Sequence, residues 1–179
     1  FVAGLARAVP GVAPRVVLNG IPMDGRASRV EVGQPVRIVM LGRLSVQKNP
    51  LLALRALAGI ADLDWRFEVI GEGPLGGEMR KLAAGLEERV EFRSWLDAAE
   101  VSERLAASDI LLMTSTSEGM PMAAIEALRH GLAIVGSRIG GLGDVIEDGV
   151  NGCFCDLEAD DFGAALRALI SDRGRLQAY

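Results

Sequence analysis

Histidine, cysteine and aromatic side chains are scarce in this chain, and each scarcity removes a class of chemistry. The 179 residues hold one histidine, His130, and two cysteines, Cys153 and Cys155. The cysteines stand two apart in an apparent strand, where alternate residues point the same way, yet such neighbours do not ordinarily form a disulfide. Third and fourth zinc ligands are missing nearby. Both are therefore read as ordinary thiols in a reducing cytoplasm, and no metal site or cofactor is expected. No apolar run reaches membrane-spanning length. The opening FVAGLARAVPG lacks the basic flank and long apolar core of a secretion signal. Positive charge is also in deficit: the formal net charge is −5, which argues against nucleic acid or an anionic membrane as partner.

Half of the residues are hydrophobic, only 4% are aromatic, and 22 are glycine. Small aliphatic residues in that proportion suit helices packed closely on a sheet. Residues 1–35 contain four of the seven prolines (Pro10, Pro14, Pro22, Pro35) and read as a hinge or linker remnant. The chain starts without Met and stops inside a helical pattern, as a piece cut from a longer protein would. Over 36–179 apolar strands alternate with amphipathic helices. VRIVML (36–41), RFEVI (66–70), RVEF (89–92), DILLM (109–113), LAIVG (132–136) and CFC (153–155) are the strands. Helices are expected to begin near Pro50, Pro74, Asp97, Pro121, Leu142 and Glu158, with Gly85 and Gly131 as C-caps. The expected architecture is α/β: a Rossmann-like, doubly wound parallel sheet of about six strands with helices on both faces. Such sheets bind ligands at the carboxyl ends of their strands, so motifs just after strands carry most weight.

GRLSVQKN (42–49) follows the first strand. Gly42 permits a close turn, and Arg43 and Lys48 supply a planar cation and a point charge, a pair suited to a diphosphate. A solvated loop with two surface bases is the competing account. TSTSEGMPMAAIEALRHG (114–131) follows the fourth strand. Its helix opens near Pro121, where free amides and the dipole could hold an anion. Glu118 in the loop and Glu126 on the helix would stand roughly 12 Å apart, too far for a close acid/base pair. They would touch different parts of one extended ligand, or else be a dipole-favoured acid and an exposed helical Glu.

Taken together, GRL with Lys48 four residues on, IGEGPL (70–75) and the Glu118-seven-Glu126 spacing resemble the retaining GT-B glycosyltransferases of family 4. VLNGI (17–21), VEF (90–92), SDILLMTS (108–115) and GGLGDVIEDGVNG (140–152) follow in the family's order. The resemblance runs from about residue 16 to 156 and implies the C-terminal, nucleotide-sugar-binding half of a two-domain enzyme. It implies that Arg43 and Lys48 bind the donor diphosphate and stabilise its departure, and that Glu118 contacts the donor sugar. Glu126 would bond the ribose hydroxyls. Amides of Gly119 and Met120, beside Pro121, would lie by sugar and phosphates, with Gly42, Gly71 and Gly73 in turns near the nucleotide. Ser94, where the family often has Gly, would lie near the base. The acceptor, a sugar, lipid or polysaccharide, would be held by the missing N-terminal domain, through which any membrane contact would also come. The fragment alone is expected to be inactive. A noncatalytic nucleotide-sugar-binding module is the alternative.

Three further patterns point elsewhere. GEGPLG (71–76) fits G-x-G-x-x-G, and Glu91 follows about twenty residues later, as in an NAD-binding domain. It follows the second strand, however, and Pro74 reads better as a helix start. Asp62-Leu63-Asp64 mimics a metal-binding D-x-D but precedes a strand, at the wrong edge for a site. His130 ends a helix before Gly131, a position where a cation would suit the dipole.

Overall fold

The computed structural model describes residues 20–21, 31–86 and 88–179. The expected hinge over 1–35, VLNGI included, lies outside them apart from residues 20–21 and 31–35. Six strands form one sheet: β1 (Val36–Leu41), β2 (Trp65–Ile70), β3 (Val90–Arg93), β4 (Ile110–Met113), β5 (Ala133–Ser137) and β6 (Gly152–Cys155). The helices are α1 (Pro50–Ala58), α2 (Gly76–Leu82), α3 (Ala98–Ala106), α4 (Met122–Arg129), α5 (Ala159–Ser171) and α6 (Arg173–Ala178). The strand order is β3-β2-β1-β4-β5-β6, and every pairing is parallel. Parallel neighbours need long crossovers, so each strand is followed by a connection that packs on one face.

The alternation of side chains across the sheet makes two cores. Val36, Ile38 and Met40 of β1 join Trp65 and Phe67 of β2 beneath α1, α2 and α5. Val39 faces the other way and meets Ile70, Leu105 of α3, and Ala124 and Ala127 of α4. At the sheet's centre, Ile110, Leu111, Ile134 and Val135 are all fully buried, as expected where helices cover both faces.

The element ends depart from expectation where glycine intervenes. α2 starts at Gly76 rather than at Pro74 and ends at Leu82, so Gly85 (φ +92°) lies in the turn beyond the cap. No α-helix begins at Leu142. Gly140–Leu142 forms a single 3₁₀ turn instead, because Gly140, Gly141 and Gly143 weaken helix continuation. By contrast, α3 begins where Asp97 predicts. Its carboxylate accepts from the amides of Ala99 and Glu100 at 2.9 Å, and Glu100 returns a bond to the Asp97 amide, a capping box. Gly131, with φ +72°, follows α4 as its stop.

Glycine is required where two loops touch. Gly71 has φ +131°, and a Cβ there would stand 2.2 Å from the Gly42 carbonyl oxygen. Gly71→Ala is therefore expected to cost about 2–3 kcal/mol, combining a left-handed backbone with a clash. Exposed Gly77 in α2 has open space around its missing Cβ, so Gly77→Ala should gain about 0.5–1 kcal/mol. Chemical denaturation of the two variants checks both signs.

Candidate functional site

The sheet order places two loops side by side. β1 is bonded to β2 on one side and to β4 on the other, so the winding direction reverses between β1 and β4. In doubly wound sheets the crevice at that reversal is where ligands bind. The loops leaving β1 and β4 are the two that carry the basic and acidic motifs.

Between them lies a cleft of about 340 Å³. Its lining combines the charged side chains of Lys48, Glu118 and Glu126 with Gly42, Met120 and Pro121 of the two loops and the apolar Leu41, Ile70, Leu96, Val101 and Trp95. Lys48 Nζ lies 2.5 Å from Glu118 Oε1, and Ser115 Oγ donates to the same oxygen at 2.6 Å. Only 9% of the Glu118 side chain is exposed, against 24% of Lys48. Partial burial makes this pair more than an ordinary surface contact, and removing either partner would leave a charge poorly solvated. Glu118 and Glu126 line the same cleft without contacting each other. Glu126 accepts no side-chain hydrogen bond among the described residues. Arg43 is exposed beside the cleft, on an adjoining notch that shares Leu41, Gly42 and Lys48 with it. Its guanidinium makes no ion pair or hydrogen bond among the described residues.

The remaining expected residues stand around this centre rather than in it. Gly71 and Gly73 do not line the cleft; they carry the β2 turn against the β1 loop. A Cβ on Gly73 would come 2.4 Å from the Leu44 carbonyl oxygen, and the Leu44 amide donates to the Glu72 carbonyl at 2.9 Å. The close backbone approach in GEGPLG is thus to the chain itself. Ser94 is exposed and outside the cleft, whose wall is formed by its neighbours Trp95 and Leu96. Gly119 is exposed and has space on its Cβ side.

Three supports were missed in the sequence. Gly141 packs its backbone on the acidic loop, where a Cβ would meet the Gly119 and Glu118 carbonyl oxygens at 2.2 and 2.3 Å. The signal was the repeated glycine in GGLG, which only the three-dimensional neighbour explains. Gln47 and Thr114 hydrogen-bond across the two loops and carried no local signal.

A larger cavity, about 670 Å³, opens at the opposite, amino edge of β1, β2 and β3. Two of its guanidiniums are occupied, Arg37 donating to the Ala107 carbonyl and Arg89 to the carbonyls of Ala61 and Leu63, whereas the buried Nε of Arg104 has no hydrogen-bond partner among the described residues. Arg104 lies 4.0 Å from Glu68, which Arg93 also binds. Its size does not make it the chemical centre, because its edge of the sheet is the wrong one. Asp62 is an exposed partner of Arg167, bound through both oxygens at 2.7 Å. Arg167 accordingly lowers the Asp62 pKa. Among the described residues no group of three or more His, Cys, Asp or Glu could hold a metal. Cys153 and Cys155 are free, and the hydrogen bond to Cys153, with burial, pushes the Cys155 thiol up.

This is a doubly wound α/β ligand-binding domain with its cleft at the sheet reversal. The sequence pattern of the glycosyl transferases group 1 matches residues 35–172, and the chain belongs to that family. It is 30% identical over 153 residues to the sulfoquinovosyl transferase of Arabidopsis thaliana, covering 81% of this chain and 29% of that protein. Against the D-inositol 3-phosphate glycosyltransferase of Rhodococcus jostii identity is 31% over 173 residues, covering 88% and 38%. The chain thus spans about a third of the length of these relatives. The apo form of the lipopolysaccharide outer core galactosyltransferase WaaB superposes with a TM-score of 0.77 at 26% identity, covering 97% of this chain and 52% of that one. A variant of S. aureus TarM, solved with UDP among other ligands, gives 0.83 at 18% identity, covering 99% and 36%. These likenesses confirm the GT-B type of α/β fold. No helix among the described residues is long and apolar enough to cross a membrane.

His130 corrects one expectation. The sequence predicts a dipole-compatible surface position, but the side chain is half-buried, and burial, then the Arg129 charge, push its pKa below the usual 6.5. Its Nε2 instead pairs with Ser102 Oγ at 3.0 Å, tying α4 to α3. A lowered folded pKa means that the unfolded chain binds the proton more readily. Stability should therefore fall as pH drops from about 6.5 through the folded pKa, then level off. The difference in melting temperature between the wild type and His130→Gln, followed from pH 7.5 to 5, should shrink on acidification.

Proposed function

We propose that this chain is the donor-binding, C-terminal half of a retaining GT-B glycosyltransferase of family 4, and that it holds a nucleoside-diphosphate sugar. The observation that carries this reading is the convergence of Lys48, Glu118, Glu126 and the start of α4 on one cleft at the sheet reversal. A cleft lined by both charged and apolar side chains suits a nucleotide sugar, whose phosphates and base make opposite demands. Membership of the group 1 glycosyl transferases supports the activity. The TarM variant and Anabaena HepE, both solved with UDP, support the ligand class.

In this reading Arg43 and Lys48 meet the diphosphate and stabilise the charge it gains as the anomeric bond breaks. Glu118 accepts from donor-sugar hydroxyls, and Glu126 accepts from the ribose. Amides of Gly119 and Met120 lie beside sugar and phosphates. No residue in the cleft is assigned the role of a base. The acceptor hydroxyl, with the surface that presents it, belongs to an N-terminal half.

Isothermal titration with UDP, GDP and ADP against their nucleosides tests the proposal, and the diphosphates should bind more tightly. Arg43→Ala and Lys48→Ala should each remove a charge-assisted contact of roughly 1.5–3 kcal/mol. They should differ in stability: Arg43 is unpaired among the described residues, whereas losing Lys48 strands Glu118. Lys48→Ala should thus lower the melting temperature and Arg43→Ala leave it unchanged. Equal affinity for diphosphate and nucleoside in the wild type would sink the assignment.

Glu126→Gln tests the ribose contact separately. A carboxylate can accept from two adjacent hydroxyls, whereas the amide offers one acceptor oxygen. The wild type should prefer a ribonucleotide over its 2′-deoxy analogue, and the variant should lose most of that preference. Direct titration with both nucleotides reads the difference.

A further inference from the structure

We infer that Thr114 and Gln47 are positioning residues, which clamp the β1 loop to the β4 loop and thereby fix where Lys48 stands. The inference rests on the diphosphate reading of the cleft. Neither residue lines that cleft; Thr114 stands behind the adjoining notch that holds Arg43, but its side chain is fully buried and its hydroxyl is turned to backbone carbonyls.

Thr114 follows β4 and is fully buried. Its hydroxyl stands 3.1 Å from the Lys48 carbonyl oxygen and 2.9 Å from that of Asn49. A hydroxyl has one proton to give, so it is shared between consecutive carbonyls of the other loop. Asn49 adopts φ 47° and ψ 51°, a left-handed conformation, and makes no side-chain cap for α1. Asparagine is among the few non-glycine residues that take this conformation readily, and here the Thr114 hydroxyl meets its carbonyl from the other loop. The exit of the basic loop is thus held from outside, by a β-branched side chain with little rotamer freedom.

A second clamp lies nearer the surface. The Thr116 amide donates to the Gln47 carbonyl at 2.8 Å, and Gln47 Nε2 donates to the Ser117 carbonyl at 2.9 Å. The two residues therefore bracket Lys48 from both sides in sequence: Gln47 before it, and the carbonyls of Lys48 and Asn49 at and after it. The partners on the β4 side, Thr114 to Ser117, run directly into Glu118. Lys48 reaches Glu118 at 2.5 Å because both backbones are fixed to each other. Binding sites of this kind are sensitive to displacements of about 1 Å, so a loosened clamp would act on the diphosphate contact before anything else.

The test compares Thr114→Val, which removes the donor at nearly the same size, with Thr114→Ser, which keeps it. Ser108→Ala is the control, because buried Ser108 also donates to a backbone carbonyl, that of Arg104, but lies before β4 at the opposite edge of the sheet. Each protein is titrated with the tightest-binding of UDP, GDP and ADP, and with its nucleoside. Thr114→Val should lose about tenfold in diphosphate affinity, equivalent to about 1.4 kcal/mol, with the nucleoside affinity unchanged. Thr114→Ser should restore most of it, and Ser108→Ala should change stability but not the ratio of the two affinities. Gln47→Ala, at an exposed position that cannot unfold the domain, should cut diphosphate affinity about threefold, within the range of one neutral hydrogen bond. A wild-type ratio in Gln47→Ala and in folded Thr114→Val overturns the clamp. If Thr114→Val does not fold, an unchanged ratio in Gln47→Ala is enough to overturn it. Should the wild type itself bind diphosphate and nucleoside equally, the diphosphate reading fails first and the clamp with it.

Discussion

The pairing of β1 with both β2 and β4 is the constraint on which the site depends. Strands on one side of β1 were laid down in sequence order, and those on the other side only after a crossover from β3. The helix after β1 joins the core under one face, and the helix after β4 joins the core over the other. Their loops consequently leave adjacent strand ends in opposite directions, and the gap between them needs no further device. What it does need is a chain that can turn tightly at its floor. Gly42, with φ +126°, supplies that turn, and a Cβ there would press on the Lys48 side chain at 3.4 Å. Gly71 and Gly141 do the same work from the neighbouring turns, by letting backbones approach where side chains would collide.

Electrostatics follow from this arrangement. A carboxylate as enclosed as Glu118 is tolerable because an ammonium and a hydroxyl both meet it. Lys48 and Glu118 satisfy each other while the cleft is unfilled. In the proposed role, an arriving diphosphate offers Lys48 a stronger anion, and sugar hydroxyls offer Glu118 new donors. Exchange of partners would then replace desolvation as the main cost of binding. In the same proposed role Arg43, exposed and without an ion pair or hydrogen bond among the described residues, would meet the ligand first.

Much of the fold was legible because its signals are local. VRIVML coincides with β1 to the residue, and Asp97 with Glu100 three positions on forms the capping box its sequence spells. The loops that carry Lys48 and Glu118 were recognisable from their positions after strands. Their direct contact was not, because it joins residues 70 apart and depends on strand order. Periodicity alone cannot tell whether β4 pairs with β1 or with β3. The same limit hid Thr114, whose hydroxyl looks like one of four in TSTS until the partner carbonyls are in view. GEGPLG shows a related limit: its glycines serve close approach to Gly42 and Leu44, neighbours that no local pattern identifies.

The lining of the cleft also bears on what the proposed donor-binding half could do alone. It joins charged Lys48, Glu118 and Glu126 to apolar Trp95, Leu96 and Val101. In the proposed reading these groups orient a donor from base to sugar. Trp95 remains 64% exposed and Val46, in the basic loop, 76%, so the rim presents apolar surface of its own. Glycosyl transfer further requires the acceptor hydroxyl to be held against the anomeric carbon, a positioning effect worth roughly 7–11 kcal/mol in favourable cases. It also requires water to be kept away from that carbon. Every group identified in the cleft is committed to the donor in the proposed reading, which leaves both of those tasks to a second surface facing the rim.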